Sequence, residues 1–144
     1  MSVTMPGRAP PRKQKLKQSM VFIVEDNADT RAGLKDALER DGFAVFATGD
    51  GREALARLNN APHPDAFLLD LYMPGLSGFE IYHALRNDPQ LATIPIIVVT
   101  AAAPAHRTGL EVAATIRKPL DVQELLFTVR RAVAPRGSPP TDLV

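Results

Sequence analysis

Between residues 19 and 134, short apolar runs alternate with stretches in which apolar residues recur every three or four positions. The runs are Met20–Val24, Phe43–Ala47, Ala66–Leu69, Ile94–Val99 and Ala113–Ile116, each followed by polar residues or by Gly or Pro. Their length and punctuation predict buried strands. The stretches between them predict helices. Leu34, Ala37 and Leu38 share one helical face, and Gly42 follows as a stop. Asp50 and Glu53 have capping-box spacing ahead of Ala54, Leu55 and Leu58, and Ser77 and Glu80 repeat it ahead of Ile81, Tyr82 and Leu85. Asp121 and Glu124 do so once more. There Val122, Leu125, Leu126, Val129 and Val133 are expected to face inward, with Phe127 on the opposite side. A weaker helix is expected within Pro104–Glu111.

The order is strand-helix repeated five times. Near-continuous apolar strands must be covered on both faces, which predicts a central parallel sheet in an α/β doubly wound fold. In such sheets the reactive crevice lies beyond the carboxyl ends of the strands. The first run ends in Glu25-Asp26-Asn27, the third in Asp70, the fourth in Thr100 and the fifth in Lys118-Pro119; the second ends blandly at Ala47-Thr48. Three carboxylates at one edge repel: each pair at ~4 Å costs about 4 kcal/mol at an effective dielectric near 20. A divalent cation removes that conflict, and an all-oxygen site with room for water favours Mg²⁺. The same cation suits phosphoryl transfer, and a carboxylate can accept a phosphoryl group. Lys118 supplies a point charge for phosphoryl oxygens and Thr100 a hydroxyl donor.

Composition narrows the alternatives. A chain of 144 residues allows one domain, and 45% hydrophobic with 23% charged residues is a globular composition. The absence of cysteine excludes disulfides, thiolate metal sites and a cysteine nucleophile. No apolar run approaches a membrane span, and no signal peptide follows the basic start, so a cytoplasmic protein is expected. The net charge of +1 hides an asymmetry: residues 1–18 carry five bases and no acid, whereas residues 19–144 hold 12 Lys+Arg against 16 Asp+Glu. The mildly acidic globular part argues against broad nucleic-acid binding. Residues 1–18 and 135–144 together contain six of the 13 prolines and read as flexible flanks of a 19–134 domain. His63, His83 and His106 lack metal-ligand spacing.

The constellation resembles the receiver domain of two-component response regulators. The matching stretches are Val21 to Asn27, Leu68 to Gly78, Ile96 to Ala101 and Lys118 to Leu120, and the likeness covers about residues 19–134. It implies a flavodoxin-like (βα)5 sheet of order 2-1-3-4-5. It implies that Glu25, Asp26, Asp70 and the backbone carbonyl of Tyr72 hold Mg²⁺, with Asp70 also accepting the phosphoryl group. Thr100, the Ala101 amide and Lys118 would bind the phosphoryl oxygens, with a cis Lys118-Pro119 bond aiming the lysine. The implied partners are a sensor histidine kinase or histidine phosphotransfer protein and a downstream protein target. With about ten residues after the last helix, a stand-alone receiver without a DNA-binding domain is expected, a monomer or weak dimer that signals by contact or phosphorelay.

Three departures from the family stand out. The acidic pair is Glu-Asp rather than Asp-Asp. The interval from Thr100 to Lys118 is about one helical turn short, some ~4 residues. Thr115 stands where an aromatic usually turns inward on phosphorylation, which shifts the expected rearrangement to the Ala101–Gly109 segment. Competing readings are a non-phosphorylated pseudo-receiver scaffold, a haloacid-dehalogenase-like hydrolase and a flavodoxin-type flavin binder. The hydrolase requires a second acid where Tyr72 stands. The flavin binder requires a phosphate loop where Glu25 and Asp26 would repel FMN. The pseudo-receiver sits poorly with an intact Asp70, Thr100 and Lys118.

Overall fold

Val21 and Ile23 pack on one face of a parallel sheet, and Phe22 and Val24 on the other, so one strand serves two cores. The structure, a computed structural model, describes residues 18–60, 62–101 and 110–134. Its strands are β1 (Met20–Val24), β2 (Ala44–Thr48), β3 (Ala66–Asp70), β4 (Ile96–Thr100) and β5 (Ala114–Arg117). They pair in the spatial order β2-β1-β3-β4-β5, the order the family resemblance implies. The helices are α1 (Ala28–Arg40), α2 (Gly51–Leu58), α3 (Gly78–Asn87) and α4 (Val122–Val133).

Helices cover both faces, as parallel pairing demands. Leu34 and Leu38 of α1 and Leu125 and Val129 of α4 close one core over Val21, Ile23, Leu68, Ile97, Val99 and Ile116. Ala54 and Leu58 of α2 and Ile81, Tyr82 and Leu85 of α3 close the other over Phe22, Val24, Phe67, Leu69 and Val98. Each helix begins on a side-chain cap. Asn27 accepts from the Thr30 amide at 2.8 Å, and Asp121 from the Gln123 amide at 2.8 Å. Gly42, just past α1, has φ +100°, a conformation that costs a Cβ-bearing residue free energy.

Two local expectations are corrected. Val122 does not face inward: it is 50% exposed, because α4 turns only Leu125 and Val129 fully into the core. Asp50 caps α2, but Glu53 does not return the bond; its carboxylate accepts from the Thr48 hydroxyl instead. Asp121 likewise caps α4 without a bond returned by Glu124, so among the described residues only Ser77 and Glu80 form the reciprocal box. The weaker helix expected at Pro104–Glu111 falls largely on residues 102–109, outside the described residues; Leu110 and Glu111 are not helical. The flanks 1–17 and 135–144 also lie outside them. Among the described residues no helix is long and apolar enough to cross a membrane.

Candidate functional site

Register brings the chemistry together. Val24 pairs with Leu69, so Glu25 and Asp70 stand side by side one residue beyond the paired rows. Asp70 pairs with Val99, which sets Thr100 one step further along the neighbouring strand. Lys118 follows β5, its amide donating to the Thr100 carbonyl at 3.0 Å. Four strand ends, from residues up to 93 positions apart, thus meet at one edge.

The carboxylates of Glu25, Asp26 and Asp70 each offer an oxygen within 4.8 Å of the others. Glu25 is 1% exposed and Asp70 5%, whereas Asp26 is open to solvent. Lys118 Nζ donates to Glu25 Oε2 at 3.1 Å and lies 3.5 Å from Asp70 Oδ2. Glu25 Oε2 also accepts from the Asn27 amide at 3.1 Å, and Asp70 Oδ1 from the Tyr72 amide at 3.0 Å. Glu25 Oε1 lies 2.9 Å from Nζ yet outside hydrogen-bonding geometry, and it is buried without a hydrogen-bond partner. A buried carboxylate oxygen that receives no aligned donor, although an ammonium lies beside it, keeps unused acceptor capacity.

Burial pushes the Asp70 carboxyl up from 3.8 to about 6; the Tyr72 amide acts against this, the Glu25 charge adds to it, and Lys118 offsets part of it. For Lys118, burial favours the neutral amine. The hydrogen bond to Glu25 and the charges of Asp70 and Glu25 outweigh it and hold the ammonium above its usual range. Three carboxylates and one ammonium carry a formal charge of −2. A divalent cation matches that charge, the donors are all oxygen, and Glu25 Oε1 is without a donor, so these residues fit Mg²⁺.

The other expected positions fall around this centre. Thr100 is buried at the end of β4, and Ala101 is exposed just after it. Tyr72 is 48% exposed, its ring edge-on to Phe79 at 5.5 Å. The Lys118-Pro119 bond is cis. Beside the site a groove of about 360 Å³ runs between α1 and the start of α4, lined by Asp29, Gly33, Leu34, Lys118, Pro119 and Val122 among others.

Two supports were assigned no role from the sequence. Arg31 Nη1 donates to the carbonyls of Glu25 at 2.8 Å and Asp26 at 3.3 Å. Gly78 lies so close behind the acceptor that a Cβ there would sit 2.1 Å from the Asp70 carbonyl oxygen. The Arg31 contact had one local clue: a cation in a helix's first turn opposes the macrodipole, so it needs another partner.

A parallel α/β sheet with an acidic pocket and an inward lysine at its carboxyl edge is the architecture of a phosphoacceptor signalling domain. Residues 21–130 match the response regulator receiver domain, and the chain belongs to that family. It is 36% identical over 116 residues to the polar-differentiation response regulator DivK of Brucella ovis, covering 76% of this chain and 92% of that protein. It is 38% identical over 117 residues to the transcriptional regulatory protein CseB of Streptomyces coelicolor, covering 78% of this chain but 48% of that protein. Among solved structures, the chemotaxis response regulator CheY4 of Vibrio cholerae superposes with a TM-score of 0.74 at 29% identity, covering 81% of this chain and 99% of that one.

Proposed function

We propose that this chain is a receiver that takes a phosphoryl group onto Asp70 from a sensor histidine kinase or histidine phosphotransfer protein. The observation that carries this reading is the buried Asp70 carboxylate, ringed by Glu25, Asp26 and Lys118 at an open strand edge. Glu25, Asp26 and Asp70, with the Tyr72 carbonyl, would hold Mg²⁺, which neutralises charge on the transferring group. Lys118 already spans Glu25 and Asp70, so its ammonium can turn to a phosphoryl oxygen bonded to Asp70 without leaving Glu25. The Thr100 hydroxyl and Ala101 amide donate to the remaining oxygens. One Asp70 oxygen bonds to phosphorus as the bond from phosphorus to the donor's histidine nitrogen breaks. That nitrogen leaves with its electron pair.

The domain spans residues 19–134, with 1–18 and 135–144 as flanks. Its activity is limited to its own phosphorylation and dephosphorylation. Its output is contact with a downstream protein in the cytoplasm, as a monomer or weak dimer. The groove beside Lys118, lined by apolar residues with Asp29 and Thr30 among them, lies where the phosphodonor would approach. Incubation with acetyl phosphate and Mg²⁺ tests the reading. One acid-stable, base-labile phosphoryl group is expected, lost in Asp70→Asn and blocked by EDTA. A wild type that stays unlabelled, with small donors and with kinases alike, would sink it in favour of a pseudo-receiver.

A further inference from the structure

Both cation ligands from β1 lie on a bend where the chain leaves the strand for α1. Nothing in a strand's geometry fixes such a bend, because successive carbonyls there point to opposite sides. Here the carbonyls of Glu25 and Asp26 converge on one nitrogen, Arg31 Nη1, at 2.8 and 3.3 Å. Two carbonyl dipoles brought together this way repel unless a cation sits between them. Arg31 supplies it from the first turn of α1, where its charge opposes the helix dipole. No carboxylate among the described residues forms an ion pair with it.

The seat of the guanidinium is made by an absent side chain. A Cβ on Gly49, just after β2, would lie 2.4 Å from Arg31 Nη1 and 3.3 Å from its Cζ. It would also lie 3.2 Å from the Glu25 carbonyl oxygen. The severe contact is therefore with the arginine, not with backbone.

We propose that Arg31, seated against Gly49, is a positioning residue for the divalent cation: it fixes the bend that aims the Glu25 and Asp26 carboxylates toward Asp70. The idea rests on the Mg²⁺ site proposed above. Partners that orient ligands rather than touch the metal are worth about tenfold or more in affinity.

Magnesium titration of the unphosphorylated protein, followed by calorimetry and by amide shifts of residues 25–27, tests it without reference to phosphorylation. Arg31→Ala is expected to weaken Mg²⁺ binding about tenfold. Arg31→Lys should restore most of the loss, because a single ammonium can serve both carbonyls. Gly49→Ala should weaken binding as Arg31→Ala does, and should add nothing in the Arg31→Ala background. Arg40→Ala, which breaks only a surface pair with Asp36, serves as a control and should leave affinity unchanged. If Arg31→Ala does not fold, Gly49→Ala against the wild type reads the same displacement. Unchanged affinity in Arg31→Ala, failure of the lysine to rescue, or a further loss from Gly49→Ala without the arginine would each overturn the brace. A wild type that binds no Mg²⁺ would instead overturn the metal site itself.

Discussion

Asp70→Asn should make the metal-free protein more stable, although it removes the residue on which the proposed function depends. The Asp70 carboxyl is 5% exposed and raised from 3.8 to about 6, chiefly by burial and then by the charge of Glu25. A carboxyl whose folded pKa exceeds its unfolded one binds more protons in the native state, so its ionisation opposes folding. The gap is about two pKa units, and at ~1.4 kcal/mol per unit it sets a ceiling near 3 kcal/mol. Solvent at the exposed Asp26 side screens part of this, and the variant forfeits the 3.5 Å contact with Lys118. We expect a gain of about 1–2 kcal/mol. Asparagine keeps an oxygen for the Tyr72 amide and offers N–H donors to Glu25, so no buried group is stranded. The sign sets the pH window. Below 3.8 both states are protonated and the two proteins match; the advantage of the variant grows between 3.8 and about 6 and is constant above. Urea unfolding in EDTA at a series of pH values measures it, with equal m-values required. Mg²⁺ should shrink the advantage by binding the native wild type. A variant less stable than wild type at neutral pH, or an advantage as large at pH 4 as at pH 7.5, would refute the reasoning.

Gly78→Ala should destabilise by about 2 kcal/mol or more, because its Cβ would meet the Asp70 carbonyl oxygen at 2.1 Å and Leu71 Cα at 2.6 Å, both backbone. Thermal or urea unfolding reads it, and a loss under half that figure would contradict the packing. Arg130 of α4 pairs bidentately with Asp41 at the end of α1, and the hydrogen bond holds the Asp41 carboxyl below its usual range. A depressed carboxyl stabilises above its unfolded pKa, so a double-mutant cycle should give about 0.5–1 kcal/mol at pH 7 and fade as pH falls below 3.8. Tyr72 stands half-exposed beside the acceptor and offers no carboxamide to orient a water. Tyr72→Asn, which supplies one, should therefore shorten the phosphoryl lifetime several-fold in a labelled-protein decay assay, and an equal or longer lifetime would refute this.

The sequence by itself determined which segments are strands and helices, and which reactive groups end the strands. Both follow from short-range rules: apolar periodicity, caps at Asp50 and Ser77, and the fact that parallel strands present their carboxyl ends to one edge. Glu25, Asp26, Asp70, Thr100 and Lys118 were legible for that reason, as was the sheet order once the Asp70-to-Gly78 stretch had been matched to a family. Tertiary structure decided what those groups do to one another. That Lys118 reaches Glu25 at 3.1 Å across 93 residues depends on register and side-chain reach, as does the shift of Asp70. Whether Glu53 would close a box with Asp50 or turn to Thr48 was a competition between two short bonds, won where β2 ends beside α2. The exposure of Val122 depends on how α4 is rotated against the sheet. Gly49 had no pattern to betray it, and Gly78 stood in the matched stretch without a stated role. Their importance is the space they leave for Arg31 and for the backbone of Asp70, and such space exists only once the chain is folded.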